Sequence, residues 1–169
     1  MLDLNDFIPS GTRIILKNDR LVLSRSGMRK ITIHRFVKDE DLPVFFFGLG
    51  LFAGEGRHRF TNTTERIEFI NSDIANAKLF HKFLEIIGLE DLVRARIHLK
   101  SDLDYGTVLD FWSNALSIPK EKFYRPLISP KTPSNTRVSQ FGSIVLRINS
   151  ALAFKLTTCW IQILLVNRV

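Results

Sequence analysis

One acid stands in the stretch VFFFGLGLFAGEGRHRF, Val44 to Phe60. Glu55 follows an apolar run interrupted by Gly48, Gly50 and Gly54, and precedes Gly56, Arg57, His58 and Arg59. Residues of these types support two kinds of chemistry. Glycines in a loop present backbone N–H groups that cradle phosphate. A carboxylate at the end of a helix binds a cation. The first reading has a pattern behind it. GLGLFA matches the loose dinucleotide fingerprint G-x-G-x-x-A, follows VFFF, which could be a strand, and has Asp73 about 20 residues on, where a ribose-binding acid is expected. That fingerprint needs a helix directly after the glycines, because the phosphate sits on its N-terminus. Here Gly54, Gly56 and RHRFTNTTER follow, broken by glycine and without helical period. The nucleotide loop is therefore disfavoured.

If the run is helical, Gly50 and Gly54 stand four apart on one face with Ala53 beside them. Small residues at that spacing let two helix backbones approach closely. Two glycines inside a helix cost about 1 kcal/mol each relative to alanine, which such a contact offsets. Glu55 then emerges at the helix C-terminus, where the dipole disfavours a carboxylate. An acid kept there, next to Arg57, points to a use such as cation binding.

The elements that must position this acid are legible around it. TRIILKNDRLVLSR reads as a hairpin with its turn within Lys17–Arg20, and KITIHRFV as a third strand. Asp41 can cap a helix that has Pro43 in its first turn and runs to about Ala53. Two strands, Arg57–Thr63 and Arg66–Asn71, flank the polar turn TNTTER. Asp73 or Ser72 can cap a second helix with a stripe of Leu79, Phe80, Phe83, Leu84 and Ile87, stopped at Gly88. VRARIHLK alternates as an amphipathic strand. Asp102 opens a third helix with Leu109, Phe111, Trp112 and Leu116 on its stripe, ending before Pro119. A basic, proline-containing loop spans Lys120–Arg137, FGSIVLRI is a further strand, and Asn149 or Ser150 caps the last helix.

Composition narrows the partners. The 169 residues suit one compact domain with a small appendage, and 24 Lys+Arg against 17 Asp+Glu leave a net charge of +7. A basic surface of this size points to polyanions. The single cysteine, Cys159, rules out an internal disulfide and a cysteine zinc cluster, and its apolar setting suits core packing. His34, His58, His81 and His98 share no zinc spacing. The apolar run Ala151–Val166 is short for a membrane span, and Lys155, Thr158 and Gln162 give it one polar stripe, so a mostly buried amphipathic helix is expected and no membrane partner. The opening MLDLNDFIPSG is polar and acidic, unlike a signal peptide, so the expected location is intracellular, in cytoplasm or nucleoid. The presence of only two glutamines, Gln140 and Gln162, fits a hot-environment source.

GLGLFAGEG, Gly48 to Gly56, resembles the nine-residue motif of the LAGLIDADG homing endonucleases, with glutamate in place of the usual aspartate and Gly48 in place of the first leucine. FINSDIANAKLFHKFLEIIGL and the order of helices and strands behind it extend the resemblance from about Leu42 to the C-terminus. It implies an α/β (α+β) fold with an αββαββα core and an antiparallel DNA-binding sheet over residues 41–169, preceded by a β-rich extension over residues 1–40. The extension is basic and suits either added DNA contact or a structural cap.

The resemblance also implies a function. Family members with one motif are homodimers whose motif helices pack along the two-fold axis, which would put Gly48, Gly50, Leu51, Ala53 and Gly54 at the dimer interface. The two Glu55 carboxylates would then lie side by side over double-stranded DNA and, with the Gly54 carbonyl, hold Mg²⁺ for phosphodiester hydrolysis. Asn71 and Ser72, at the end of the second strand, would order water, and Lys120 or Lys122 would supply the family's basic residue.

Alternation within the strands yields rows that can face DNA. Arg57, Arg59, Thr61 and Thr63 form one, Arg66, Glu68 and Ser72 a second, and Arg94, Arg96, His98 and Lys100 a third, with Arg147 added from the last strand. A β-ribbon fits the major groove, where arginine reads guanine. Lys131 and Arg137 suit phosphate contacts, which position without specifying. The expectation is thus a homodimeric, Mg²⁺-dependent, intron-encoded endonuclease acting on a long near-palindromic duplex, without a small-molecule substrate. A non-cleaving DNA-binding regulator on the same fold and an RNA-splicing maturase are the alternatives. Cleavage of duplex DNA separates the endonuclease from both.

Overall fold

In the computed structural model, which describes residues 1–55, 65–130 and 139–166, the chain is a mixed α+β protein with four α-helices and three small sheets among those residues. The N-terminal hairpin forms as its sequence asks. Strand β2 (Arg13–Lys17) pairs antiparallel with β3 (Arg20–Ser24), and Asn18 at φ 53° takes the left-handed conformation a two-residue turn needs. β3 then pairs with β4 (Ile31–His34). The expected third strand breaks at Arg35: Phe36–Val37 (β5) leaves this sheet to pair with Leu2–Asp3 (β1). Arg35 Nη2 and Nε reach Asp3 Oδ2 at 2.7 and 2.9 Å, which fastens the break and holds the Asp3 carboxyl below its ordinary range.

Helix α1 (Leu42–Glu55) has Pro43 in its first turn and runs two residues past the expected Ala53, so Glu55 is its last residue. Phe45, Gly48, Leu49 and Phe52 form its buried stripe. β6 (Ile67–Asn71) leads into α2 (Ile74–Ile86), capped by Asp73, whose Oδ1 accepts from the Ala75 and Asn76 N–H groups at 2.7 and 3.1 Å. The helix stops at Gly88, with φ 76°. β7 (Arg94–Lys100) and α3 (Tyr105–Leu116) follow. The cap of α3 is Asp104 and not Asp102: its Oδ1 accepts from both N–H and Oγ1 of Thr107 at 2.8 Å. Two acids two residues apart are both plausible caps by type, and the position of the first helical turn decides. Within the basic loop lies a strand that its sequence does not announce, β8 (Leu127–Ser129). β9 (Ser143–Ile148) then leads to α4 (Ala151–Trp160), capped by Ser150 and continued by a π-helical turn, Ile161–Val166. Thr158 is buried, so the outward stripe of this helix passes through Lys155, Cys159 and Gln162 instead. Cys159 is half-buried, and burial pushes its thiol up. No helix among the described residues is long and apolar enough to cross a membrane.

The main sheet has the order β6-β9-β7-β8. β9 is antiparallel to both neighbours, but β7 and β8 are parallel, so the sheet is mixed where an antiparallel one was expected. The cause is the connection: α3 carries the chain back to the starting end of β7, a crossover that delivers a parallel neighbour. Ile67, Phe69, Ala95, Ile97, Ile144, Leu146 and Ile148 are buried on the helix-covered face. Two aromatic chains tie the helices to it. Phe69 stacks on Phe80 at 4.3 Å and Phe80 on Phe52 at 6.1 Å, while Phe83, Phe45 and Trp160 follow one another at 5.8 Å. The N-terminal sheet joins the same core through Leu21, Leu23, Ile31 and Ile33. It is pinned there by the His34 N–H to Ile87 carbonyl bond and the Trp160 Nε1–H to Phe7 carbonyl bond, both 3.1 Å.

Gly48 sets the spacing of α1 and α2, because a Cβ there would lie 2.3 Å from the Phe83 Cβ. Gly50 and Gly54 have open space instead. Gly48→Ala is therefore expected to lower unfolding free energy by about 1–3 kcal/mol through overpacking. Gly50→Ala, which relieves a helical glycine, is expected to leave the stability of the chain unchanged or to raise it by up to about 1 kcal/mol. Urea unfolding of the two variants measures both.

Candidate functional site

Glu55 and Asn71 meet in the folded chain. In β6, Ile67, Phe69 and Asn71 point to the helix side, and Asn71 comes last, where the covering helices end. Its Nδ2 donates to Glu55 Oε2, and its Oδ1 accepts from the Asp73 N–H at 2.8 Å. The end of α1, the end of β6 and the cap of α2 thus converge on one exposed carboxylate. Ser72 is exposed between Asn71 and Asp73. Apart from Glu55 and Asp73 the corner is poor in acids, and no cluster of three or more His, Cys, Asp or Glu able to hold a metal occurs among the described residues.

The two lysines lie elsewhere. Lys120 pairs with Asp110 of α3. Lys122 reaches the Glu90 and Asp91 carbonyls at 3.5 and 3.4 Å and the Asp91 carboxylate at 3.9 Å. Phe123 bridges to Ala95, near the start of β7, whereas Asn71 aligns with Ile144 and, across β9, with Ile97. β6 and β8 are also the two outer strands, three strand spacings or about 14 Å apart. The folded chain does not bring Lys120 or Lys122 to Glu55.

On α1 the expected contact residues divide. Gly50 and Gly54 are exposed, with Leu51 and Ala53 half-buried beside them. Gly48 is a correction: it faces inward onto Phe83 of its own chain and is not free for a second helix. Pro43 and Phe47, the latter 51% exposed, extend the outward face through Gly50 to Gly54.

The outer face of the sheet carries the third expected row. Arg94, Arg96, His98 and Lys100 are each half-exposed and alternate with buried Val93, Ala95, Ile97 and Leu99. Arg96 lies over the Tyr124 ring at 5.7 Å, and its Nε is buried without a hydrogen-bond acceptor among the described residues. The second row differs from expectation. Glu68 is 3% exposed, aligned with Arg147, and accepts from Arg147 Nε at 2.8 Å while Arg66 Nη2 lies 3.1 Å away. It ties two arginines down instead of presenting a carboxylate to a partner. A buried carboxylate requires such pairing. Arg57, Arg59, Thr61, Thr63, Lys131 and Arg137 lie outside the described residues. Tyr124 belongs to no alternating row and carried no signal in the sequence, while Asn149, one of the two expected caps of the last helix, instead donates from Nδ2 to the Tyr124 hydroxyl at 3.4 Å.

Comparison of the chain with protein-family models, with curated proteins and with solved structures gives no match.

Two histidines make folding pH-dependent. Burial holds His81 and His98 below the ordinary 6.5; Glu85, with Oε1 3.2 Å from His81 Nδ1, opposes the shift at His81, and Arg96 and Arg147 add to it at His98. The unfolded chain then binds more protons than the folded one just below that value. Their stabilising contribution is full above about pH 6.5 and is lost as pH falls towards the depressed folded values. Urea unfolding between about pH 7.5 and about pH 5 should show this fall, and His81→Gln should flatten it.

Proposed function

We propose that the chain is a homodimeric, metal-dependent DNA endonuclease of the LAGLIDADG type. The observation that carries this reading is the outward face of α1: an exposed apolar stripe of Pro43, Phe47, Gly50 and Gly54 that ends at Glu55. Gly50 and Gly54 have nothing within 4 Å of an added Cβ, which leaves room for a second backbone. At a rise of 1.5 Å per residue, a contact centred on them lies within about 8 Å of Glu55. A two-fold axis at that contact brings the carboxylates of two protomers together.

The residues fit Mg²⁺ in part. One protomer offers the Glu55 carboxylate and the Gly54 carbonyl, which suits an ion held by one or two carboxylates with water and phosphate filling its shell. When bound, Mg²⁺ supplies Lewis-acid stabilisation of charge on the phosphate and an activated water. Asn71 orients Glu55 by donating to one oxygen and leaves the other free for the ion. Arg94, Arg96, His98 and Lys100 suit the groove of a duplex, whereas Arg147 is held by Glu68. Lys120 and Lys122 are less suited to act at Glu55 of their own chain, given their placement near the start of β7.

Glu55→Gln is expected to bind duplex DNA like the wild type and to lose Mg²⁺-dependent nicking by about 100-fold or more, the scale of one transition-state contact. Nicking at the wild-type rate overturns the assignment. Gly50→Leu is expected to sediment as a folded monomer where the wild type is a dimer. A wild-type monomer both with and without DNA overturns the dimer.

A further inference from the structure

A cleft of about 280 Å³ opens where the N-terminal sheet meets the main sheet, lined by Arg29, Lys30, Arg94, Tyr124 and Asn149, with one acid, Asp91. Arg29 and Lys30 lie just ahead of β4, whose far end is held to the end of α2 by the bonds of His34. Neither makes an ion pair among the described residues, and Arg94 meets only the carbonyls of Asp91 and Val93. Asp91 is almost fully exposed, with its carboxylate 3.9 Å from Lys122 Nζ. The cleft therefore holds three cations against one exposed acid.

It also continues the basic row. Arg94 belongs both to the cleft and to the outer face of β7, and Tyr124 joins the cleft to Arg96 through its ring. From Lys100 to Arg94 the row runs about 20 Å, or about 6 base pairs of duplex. Asn71 aligns through β9 with Ile97, midway along β7, so the cleft at Arg94 lies about 10 Å further along the strand direction than Asn71. The volume is below the range of about 300–1,000 Å³ typical of pockets that enclose a small molecule. It suits the phosphate of a polymer that continues outside.

We propose that Arg29, Lys30 and Arg94 form a clamp for a backbone phosphate of the bound duplex, beyond the segment covered by β7. This rests on the reading of the sheet as a duplex-binding surface. The test is binding of a 30-base-pair (roughly three helical turns) mixed-sequence DNA duplex, without Mg²⁺, over a range of salt. It compares the wild type with Arg29→Ala/Lys30→Ala, with Arg96→Ala, and with Arg13→Ala/Lys17→Ala on the exposed strand β2, at the other edge of the N-terminal sheet, which removes equal charge outside the cleft lining. The cleft variant should bind more weakly and flatten the plot of log K against log salt by about 1, as one lost phosphate contact predicts. The β2 variant should keep the wild-type slope. Equal losses in the cleft and β2 variants reduce the effect to net charge and overturn the clamp. A wild-type slope in the cleft variant with weakened binding in Arg96→Ala overturns the clamp and leaves the sheet reading standing. No binding by any variant, wild type included, overturns the sheet reading itself. Far-ultraviolet circular dichroism keeps misfolded variants out of the comparison.

Discussion

The contact of Gly48 with Phe83 governs the arrangement. An added Cβ at Gly48 would fall 2.3 Å from the Phe83 Cβ, so α1 and α2 lie as close as a glycine allows. That closeness brings Phe52 and Phe45 of α1 onto the rings of α2, and through Phe80 onto Phe69 of the sheet. With Phe45, Gly48, Leu49 and Phe52 committed inward, helical geometry turns Phe47, Gly50 and Gly54 outward. The orientation of α1, and with it the placement of Glu55 beside Asn71, follows from packing on the far side of the helix.

Charge is arranged by a similar division. Arg66 and Arg147 share the buried Glu68, and this pairing makes a tight cross-strand tie between β6 and β9. Arg94 and Arg96 on β7 meet no such acid among the described residues; they meet carbonyls and an aromatic ring. Basic residues on one sheet face are thus of two kinds, those neutralised within the fold and those left with donors. A long-range field arises from the second kind. Net charge alone does not distinguish them.

What the sequence disclosed follows from the range of each signal. The helix from Ile74 was legible because its cap, its apolar stripe and its stop at Gly88 all lie within one segment. The alternation of β7 was legible for the same reason, and its buried and half-exposed residues follow the expected parity throughout. Glu68 was misread because parity places it on the outer face correctly, while its burial depends on Arg147, 79 residues away. β8 has three residues, too few for a period to show, and its pairing is set by the return of α3. Gly48 looked equivalent to Gly50 and Gly54. Only the register of the helical stripe against α2 tells the inward glycine from the outward ones.

The same reasoning explains why the acid is so plainly the candidate centre while its helpers are not. Glu55 is marked by a local conflict: a carboxylate at the unfavourable end of a helix dipole, after three helical glycines that weaken the helix. A residue that costs stability in this way stands out within nine positions. Asn71 carries no such conflict, since an asparagine at a strand end before a capped helix is ordinary turn chemistry. Its role becomes visible only when β6 is laid under α1. An acid that strains its own element can be read from sequence, whereas the groups that meet it are defined by the fold that brings the elements together.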